Sequence, residues 1–275
     1  MPTTQVRTLR VPGCALHYEV RGSGPALLLI PGSNGDAGLF DALADLLAGD
    51  FTVITYDRRG FSRSVLDGPF TGEWSETHTD DARRLLETVT TGPASVFGSS
   101  AGAVIGLDLV SRHPDLVTRL ISHEPPMAEV LPDAADWRAF FANVRTTYRR
   151  EGAGPAMGLF MTGIGLDSLE RPADPDPGLI GRLSGNLGFF LSHEVREAPG
   201  YRPDLGALDA GRARIAMAGG RDSRRRFPYR PAAALAARWR EPVIDFPGDH
   251  TGYWSRPAEF AAALGDALAG REPRR

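Results

Sequence analysis

Short apolar runs alternating with stretches of helical spacing constrain this chain most. Ala26–Ile30 is continuously apolar, as expected of a strand buried on both faces. A glycine-bearing loop at 31–35 leads from it into a helical pattern over 37–47. A second buried strand at 51–56 ends in the polar loop 57–64, and helical spacing follows over 76–89. A β-branched run at 94–97, a helix at 104–112 and a strand at 116–122 continue the series. The His113-Pro114 step stops that helix. Such alternation predicts an α/β fold, with a mostly parallel sheet and helices on both faces. Ahead of it, 6–11 and 15–20 read as two strands joined by a Pro12-Gly13 turn.

The series breaks between 125 and about 208, where helices rich in large apolar residues are separated by proline-rich loops. It resumes with a strand at 214–218, a helix at 231–238, a strand at 242–246 and a closing helix at Pro257–Leu268. The expected organisation is a core of 1–124 and 209–275 with a helical cap, 125–208, inserted late in the sheet. An apolar cap suits a ligand site, which needs a roof. The tail, 271–275, reads as solvated.

Composition narrows the function classes. The net charge of −3 comes with no basic stripe of the kind nucleic acid requires. All 31 basic side chains other than histidine are arginine, scattered along the chain, so no Walker-type lysine exists. One cysteine, Cys14, excludes an internal disulfide and suits a reducing compartment. The polar start, 1–10, lacks an apolar signal core, and no run reaches membrane-spanning length. A soluble cytoplasmic protein acting on a small molecule is expected, with no nucleic acid or membrane partner and room for a homodimer. His123-Glu124 and His193-Glu194 lack a second histidine at helical spacing, so neither a metal nor a cofactor is expected.

The chemistry concentrates in Gly98-Ser99-Ser100-Ala101-Gly102, set between the strand at 94–97 and the helix at 104–112. Strand, Gly-x-Ser-x-Gly, helix holds a serine on a sharp turn with its hydroxyl exposed. The small flanking residues let strand and helix backbones approach. Such a serine needs a base, and the base needs a third group to fix its tautomer. Groups of this kind sit in loops after the carboxyl ends of strands. Of six histidines, His250 fits best, in the turn Pro247-Gly248-Asp249 before Tyr253 and Trp254; His123 and His193 follow it. For the orienting acid, Asp222 in the turn Gly219-Gly220-Arg221-Asp222 is favoured and Glu124 is its rival. Asp249 is too close to His250 in sequence to reach the far ring nitrogen. Two backbone donors are expected for a developing oxyanion: Ala101 N–H at the helix start, and Ser33 N–H, with Asn34 as the alternative. Asn34, Phe140, Phe160, Phe189, Phe190 and Trp254 are candidate pocket residues.

With these pieces in place the chain resembles the α/β-hydrolase superfamily along nearly its whole length. The matching segments are Ile30-Pro31-Gly32-Ser33, Asp57-Arg58-Arg59-Gly60-Phe61-Ser62-Arg63-Ser64, Gly98 to Gly102, Gly219 to Asp222 and Pro247 to His250. Their succession, with Ser100 before Asp222 before His250, is the family's order. The resemblance implies an eight-stranded sheet with a helical cap between the sixth and seventh strands. Two positions depart from the usual pattern: Pro31 stands where histidine is common, and Ser62 where glycine is usual. A serine at position 100 argues against the aspartate-nucleophile subfamilies, the haloalkane dehalogenases and epoxide hydrolases.

The leading expectation is a serine hydrolase cleaving an ester, thioester or lactone of a small apolar molecule. The resemblance also admits perhydrolase, carbon–carbon hydrolase and lyase or cyclase chemistry on the same triad. A non-catalytic ligand-binding protein on the same fold is the third reading.

Overall fold

The computed structural model describes residues 3–271. The expectation for the tail therefore falls, beyond Arg271, outside the described residues; Arg271 itself bonds to Asp266 at 2.9 Å. The start of the chain is described from Thr3.

One sheet organises the chain. Its strands are β1 (Gln5–Val11), β2 (Cys14–Arg21), β3 (Ala26–Ile30), β4 (Thr52–Tyr56), β5 (Val65–Leu66), β6 (Ala94–Ser99), β7 (Val117–His123), β8 (Ile215–Gly220) and β9 (Ile244–Phe246). Their order across the sheet is β1-β2-β4-β3-β6-β7-β8-β9, with the two-residue β5 paired to β2. Pairings from β4 through β9 are parallel, while β1, β4 and β5 all run antiparallel to β2. The expected α/β architecture is present, and β5 is the ninth strand that the sequence does not announce.

Helices α1 (Asp41–Leu47) and α11 (Pro257–Leu268) pack together on one face, where Leu43, Leu47, Phe260 and Leu264 cover Leu27, Leu29 and Phe97 of the central strands. On the other face α2 (Trp74–Val89), α3 (Ala101–Arg112), α8 (Leu205–Gly211) and α9 (Tyr229–Trp239) bury Leu85, Val104, Leu208 and Leu235 with Leu28, Ile30 and Val96. Side chains of β3 point alternately to these two layers, which is why Ala26–Ile30 is apolar throughout.

Between β7 and β8 stand α4 (Ala134–Glu151), α5 (Ala153–Ile164), α6 (Pro177–Phe189) and α7 (Glu197–Gly200), with a π-helical turn over Phe190–Glu194. Their apolar faces form a third cluster around Phe141, Val144, Ile164 and Phe190. This is the excursion read from the sequence as a cap. At the far end of the expected span, 125–208, α8 packs on α3 with Leu208 in the main core. A last short helix, α10 (Gly252–Ser255), follows the histidine turn. No described helix is long and apolar enough to cross a membrane.

Candidate active site

Sheet order does the first part of the assembly. The central strand β6 lies between β3 and β7, so their carboxyl ends open side by side. The register pairs Ser99 with His123 and Ile30 with Gly98. Ser100 and Glu124 therefore leave the sheet at the same level, and Pro31 leaves one step away.

Ser100 sits at φ 54°, ψ −122°, a backbone region that L-residues rarely enter. Its main-chain N–H donates to His123 C=O at 2.9 Å, which ties the turn to β7. The hydroxyl makes no capping bond to α3 and borders a cavity. Contact explains the small neighbours. A Cβ on Gly102 would lie 2.1 Å from Ile30 O, and one on Gly98 would lie 2.3 Å from Gly102 O. Both clashes are with backbone and cannot be relieved by a rotamer change. Gly102→Ala is expected to cost more than about 3 kcal/mol, above ordinary overpacking, because β3 and α3 must separate. Denaturant midpoints check this, and an unchanged midpoint would contradict the close approach.

His250, in the turn between β9 and α10, borders the same cavity. Its Nδ1 lies 2.5 Å from Oε2 of Glu124, and both side chains are buried. The second carboxylate oxygen of Glu124 accepts Gly220 N–H at 2.7 Å. Burial alone would raise the Glu124 pKa, but the bond to His250 and that ring's charge outweigh it, and the carboxyl is held below its ordinary range. Glu124 has φ 50°, again in the left-handed region, so two residues of the constellation carry backbone strain.

The sequence favoured Asp222 for this contact, and the structure does not bring it to His250. Asp222 is the middle residue of the 3-10 turn Arg221–Ser223 after β8 with its side chain exposed, and its N–H donates to Gly248 C=O at 3.0 Å. The space beside β8 is already filled, since a Cβ on Gly220 would meet Asp249 O at 2.4 Å. Glu124, one strand closer to Ser100, occupies the position facing the imidazole. Asp249 is engaged elsewhere, accepting Thr251 N–H at 2.9 Å within its own turn and Glu170 N–H at 2.8 Å from the segment between α5 and α6.

The two alternative base candidates, His123 and His193, are placed away from the base position. His193 is exposed and packs on Phe189. His123 is fully buried among Phe97, Phe246, Tyr253 and Phe260, and neither ring nitrogen has a hydrogen-bond partner among the described residues. Burial pushes its pKa down to about 4, against the opposing charge of Glu124. An unfolded histidine takes a proton near 6.5, so the unfolded chain binds more protons between about 6.5 and 4. Stability at this site is thus present above pH 6.5 and is lost as pH falls towards 4. His123→Phe, which suits the aromatic surroundings, is expected to flatten that loss by up to about 1.4 kcal/mol per pH unit. Denaturant titrations at pH 7, 5.5 and 4 check it, and identical slopes would contradict it.

The loop after β3 supplies the oxyanion candidates. Gly32, Ser33 and Asn34 border the cavity with Ser100, and a Cβ on Gly32 would lie 3.0 Å from Ser100 Cβ. Ala101 N–H, at the first position of α3, has no acceptor within its helix and none elsewhere among the described residues. Pro31, where histidine is common, is buried beside these residues. Ser62, where glycine is usual, sits at φ 47° with a specific use: its hydroxyl donates to Asp36 at 2.5 Å and accepts from Asn186 at 2.8 Å.

The cavity has a volume of about 400 Å³ and lies between the sheet's carboxyl edge and the cap. Of the candidate pocket residues, Asn34, Phe160, Phe190 and Trp254 line it. Phe140 and Phe189 do not. Phe140 packs inside the cap on Trp137 and Phe141, and Phe141 lines the cavity instead. Phe189 lies against Phe61 and over Gly60, where a Cβ would come within 2.3 Å of its ring. The sequence also missed a buried ion pair at the cavity wall. Glu194, noted in the sequence only beside His193 as lacking a metal-binding partner, is fully buried and forms a two-pronged bond with Arg58 at 2.7 Å on each oxygen. Its apolar flanks, Phe190-Leu191 and Val195, were the available signal. Among the described residues no three His, Cys, Asp or Glu side chains gather to hold a metal ion.

Comparison with known proteins bears on the fold and the family. Residues 25–162 match the family model for the alpha/beta hydrolase fold. The chain is 42% identical over 267 residues to the uncharacterized hydrolase YraK of Bacillus subtilis (strain 168), covering 95% of each chain. It is 31% identical over 116 residues to a 2-(acetamidomethylene)succinate hydrolase of Mesorhizobium japonicum, covering 42% of this chain and 41% of that one. Among solved structures, a Pseudomonas aeruginosa protein provisionally named an epoxide hydrolase superposes with a TM-score of 0.72 at 19% identity, covering 98% of this chain and 97% of that chain. Fold, sheet order and sequence relatives agree, and the chain belongs to the alpha/beta hydrolase family.

Proposed function

We propose that the protein is a serine hydrolase that cleaves an ester, thioester or lactone of a small apolar molecule through an acyl-enzyme. Ser100 is the nucleophile, His250 the base and Glu124 the orienting acid. The observation that carries this reading is the 2.5 Å contact between His250 Nδ1 and Glu124, with His250 and Ser100 on one cavity wall. Glu124 holds the proton on Nδ1, which leaves Nε2 to accept from the serine hydroxyl.

In the first step Ser100 Oγ bonds to the substrate carbonyl carbon, and its proton passes to His250 Nε2. The carbonyl electron pair moves to oxygen, where Ala101 N–H and Ser33 N–H donate to it. Collapse of this intermediate expels the alkoxide or thiolate, which takes the proton from His250. Water then gives a proton to His250 and attacks the acyl carbon; the acid leaves and Ser100 regains its proton. Glu124, a buried anion, stabilises the imidazolium formed in both halves.

The lining supports an apolar acyl group. Phe141, Met157, Phe160, Ile164, Leu183 and Phe190 surround the space above Ser100. Acyl chains that fill about 400 Å³ gain from burying apolar surface, and longer chains must displace the cap. A panel of p-nitrophenyl esters from acetate to laurate, with matching thioesters and lactones, tests the reading. Activity is expected to rise with acyl length and then fall. A flat profile would contradict the cavity as the acyl site, and absence of turnover on all three classes would contradict the reaction.

A further inference from the structure

Arg58 and Asn186 grip the backbone on both sides of Ser33. Arg58 donates from Nε at 3.2 Å and from Nη2 at 2.8 Å to the carbonyl of Gly32. Asn186, on cap helix α6, donates at 2.7 Å to the carbonyl of Asn34. The Gly32–Ser33 peptide is trans, so its C=O and N–H point in opposite directions. A guanidinium holding Gly32 C=O from below therefore fixes where Ser33 N–H points above. The remaining edge of Arg58 is taken by Glu194 of the cap's π-helical turn, and both side chains are fully buried. Asn186 also accepts Ser62 N–H at 2.9 Å, which locks the second core loop into the same joint.

We propose that Arg58 and Asn186 are positioning residues that aim the Ser33 N–H at the developing oxyanion, and that Glu194 makes this aim depend on a seated cap. The inference rests on the serine-hydrolase reading above. Without Arg58 the Gly32 carbonyl keeps only the turn bond from Gly35 N–H at 2.9 Å, and a donor displaced by a fraction of an ångström loses most of its value in the transition state. The ground state, held by the apolar lining, is little affected. The clamp thus acts on kcat more than on KM.

Removing one member of a buried ion pair leaves an uncompensated charge, so the informative variant is the neutral pair Arg58→Gln with Glu194→Gln. Asn186→Ala, which keeps the ion pair, is the second variant. For each, fluorophosphonate titration counts active sites, and kcat and KM on p-nitrophenyl butyrate are expressed per titrated site. Inhibition by an alkyl trifluoromethyl ketone, which forms an oxyanion on Ser100, is compared with that by the matching methyl ketone. The expected result for the neutral pair is a kcat about 10- to 100-fold lower with KM within about 3-fold. The preference for the trifluoromethyl ketone over the methyl ketone should narrow by the same factor. Asn186→Ala should move the same two readouts in the same direction, by about 3- to 10-fold, and decides the matter if the neutral pair does not fold. A purely structural role would lower the titrated fraction or the melting temperature and leave the ketone preference intact, which would overturn the proposal. A wild-type protein that takes no fluorophosphonate would overturn the serine reading and this inference together; labelling with an unchanged ketone preference would overturn the clamp alone.

Discussion

Ser100→Ala is expected to lower turnover of a short p-nitrophenyl ester by about 10³-fold or more, with little change in stability. The hydroxyl makes no capping bond to α3, so removing it leaves the helix start and the Ser100 N–H to His123 C=O bond in place. The alanine must still adopt φ near 54°, a strain the serine already bears. Loss of activity would thus be loss of the attacking atom. His250→Ala should cost a similar factor, and the double variant little more than either, because the two act as a unit. Steady-state rates on purified proteins of matched melting temperature check both statements. Most of the activity surviving in Ser100→Ala would remove serine from the mechanism.

The second large effect distinguishes the two acids. Glu124→Gln should lower kcat by about 10³- to 10⁴-fold, whereas Asp222→Asn should change it by less than about 3-fold. A glutamine at 124 keeps the shape and can still accept Gly220 N–H, but it no longer carries the charge that stabilises the imidazolium. If its amide NH₂ faces His250, it also enforces the wrong tautomer. Asp222 is exposed and bonded to His250 by nothing in the structure, so its amide should be neutral to the reaction. Equal losses from both changes, or a larger one from Asp222→Asn, would return the acid to the loop after β8.

Much of the fold was legible because burial on both faces writes itself into sequence. The continuous apolar run of β3, the β-branched run of β4 and the helical spacing of α2, α3 and α11 need no tertiary information to be read. Val65–Leu66 escaped because two residues carry no period, and Val65 is exposed at the sheet margin. Ser100 and His250 were legible as motif centres set in post-strand loops.

The acid was not legible, for geometric reasons. Asp222 and Glu124 both follow a strand, and sequence cannot report that β7 rather than β8 adjoins the nucleophile strand. Nor does it show that Glu124 turns at φ 50°, which lets a side chain one methylene longer than aspartate reach the ring. The cap aromatics failed on phase. Phe140 and Phe141 are neighbours on α4, and only the packing of α4 against α5 decides which faces the cavity. At Phe189 and Phe190 the change from α to π geometry alters the residues per turn, so helical spacing cannot be carried through the joint. Glu194 went unseen because its partner, Arg58, lies 136 residues away.

The central claim is that Ser100 attacks, and covalent labelling reads it with no substrate assumption. Wild type, Ser100→Ala and Glu124→Gln would be treated with an alkyl fluorophosphonate and examined by intact-mass and peptide mass spectrometry. The account predicts one adduct per wild-type chain, on the peptide bearing Ser100. It predicts none in Ser100→Ala and a labelling rate about 10³-fold slower in Glu124→Gln. An adduct on any other residue, or an unlabelled wild type, would contradict it.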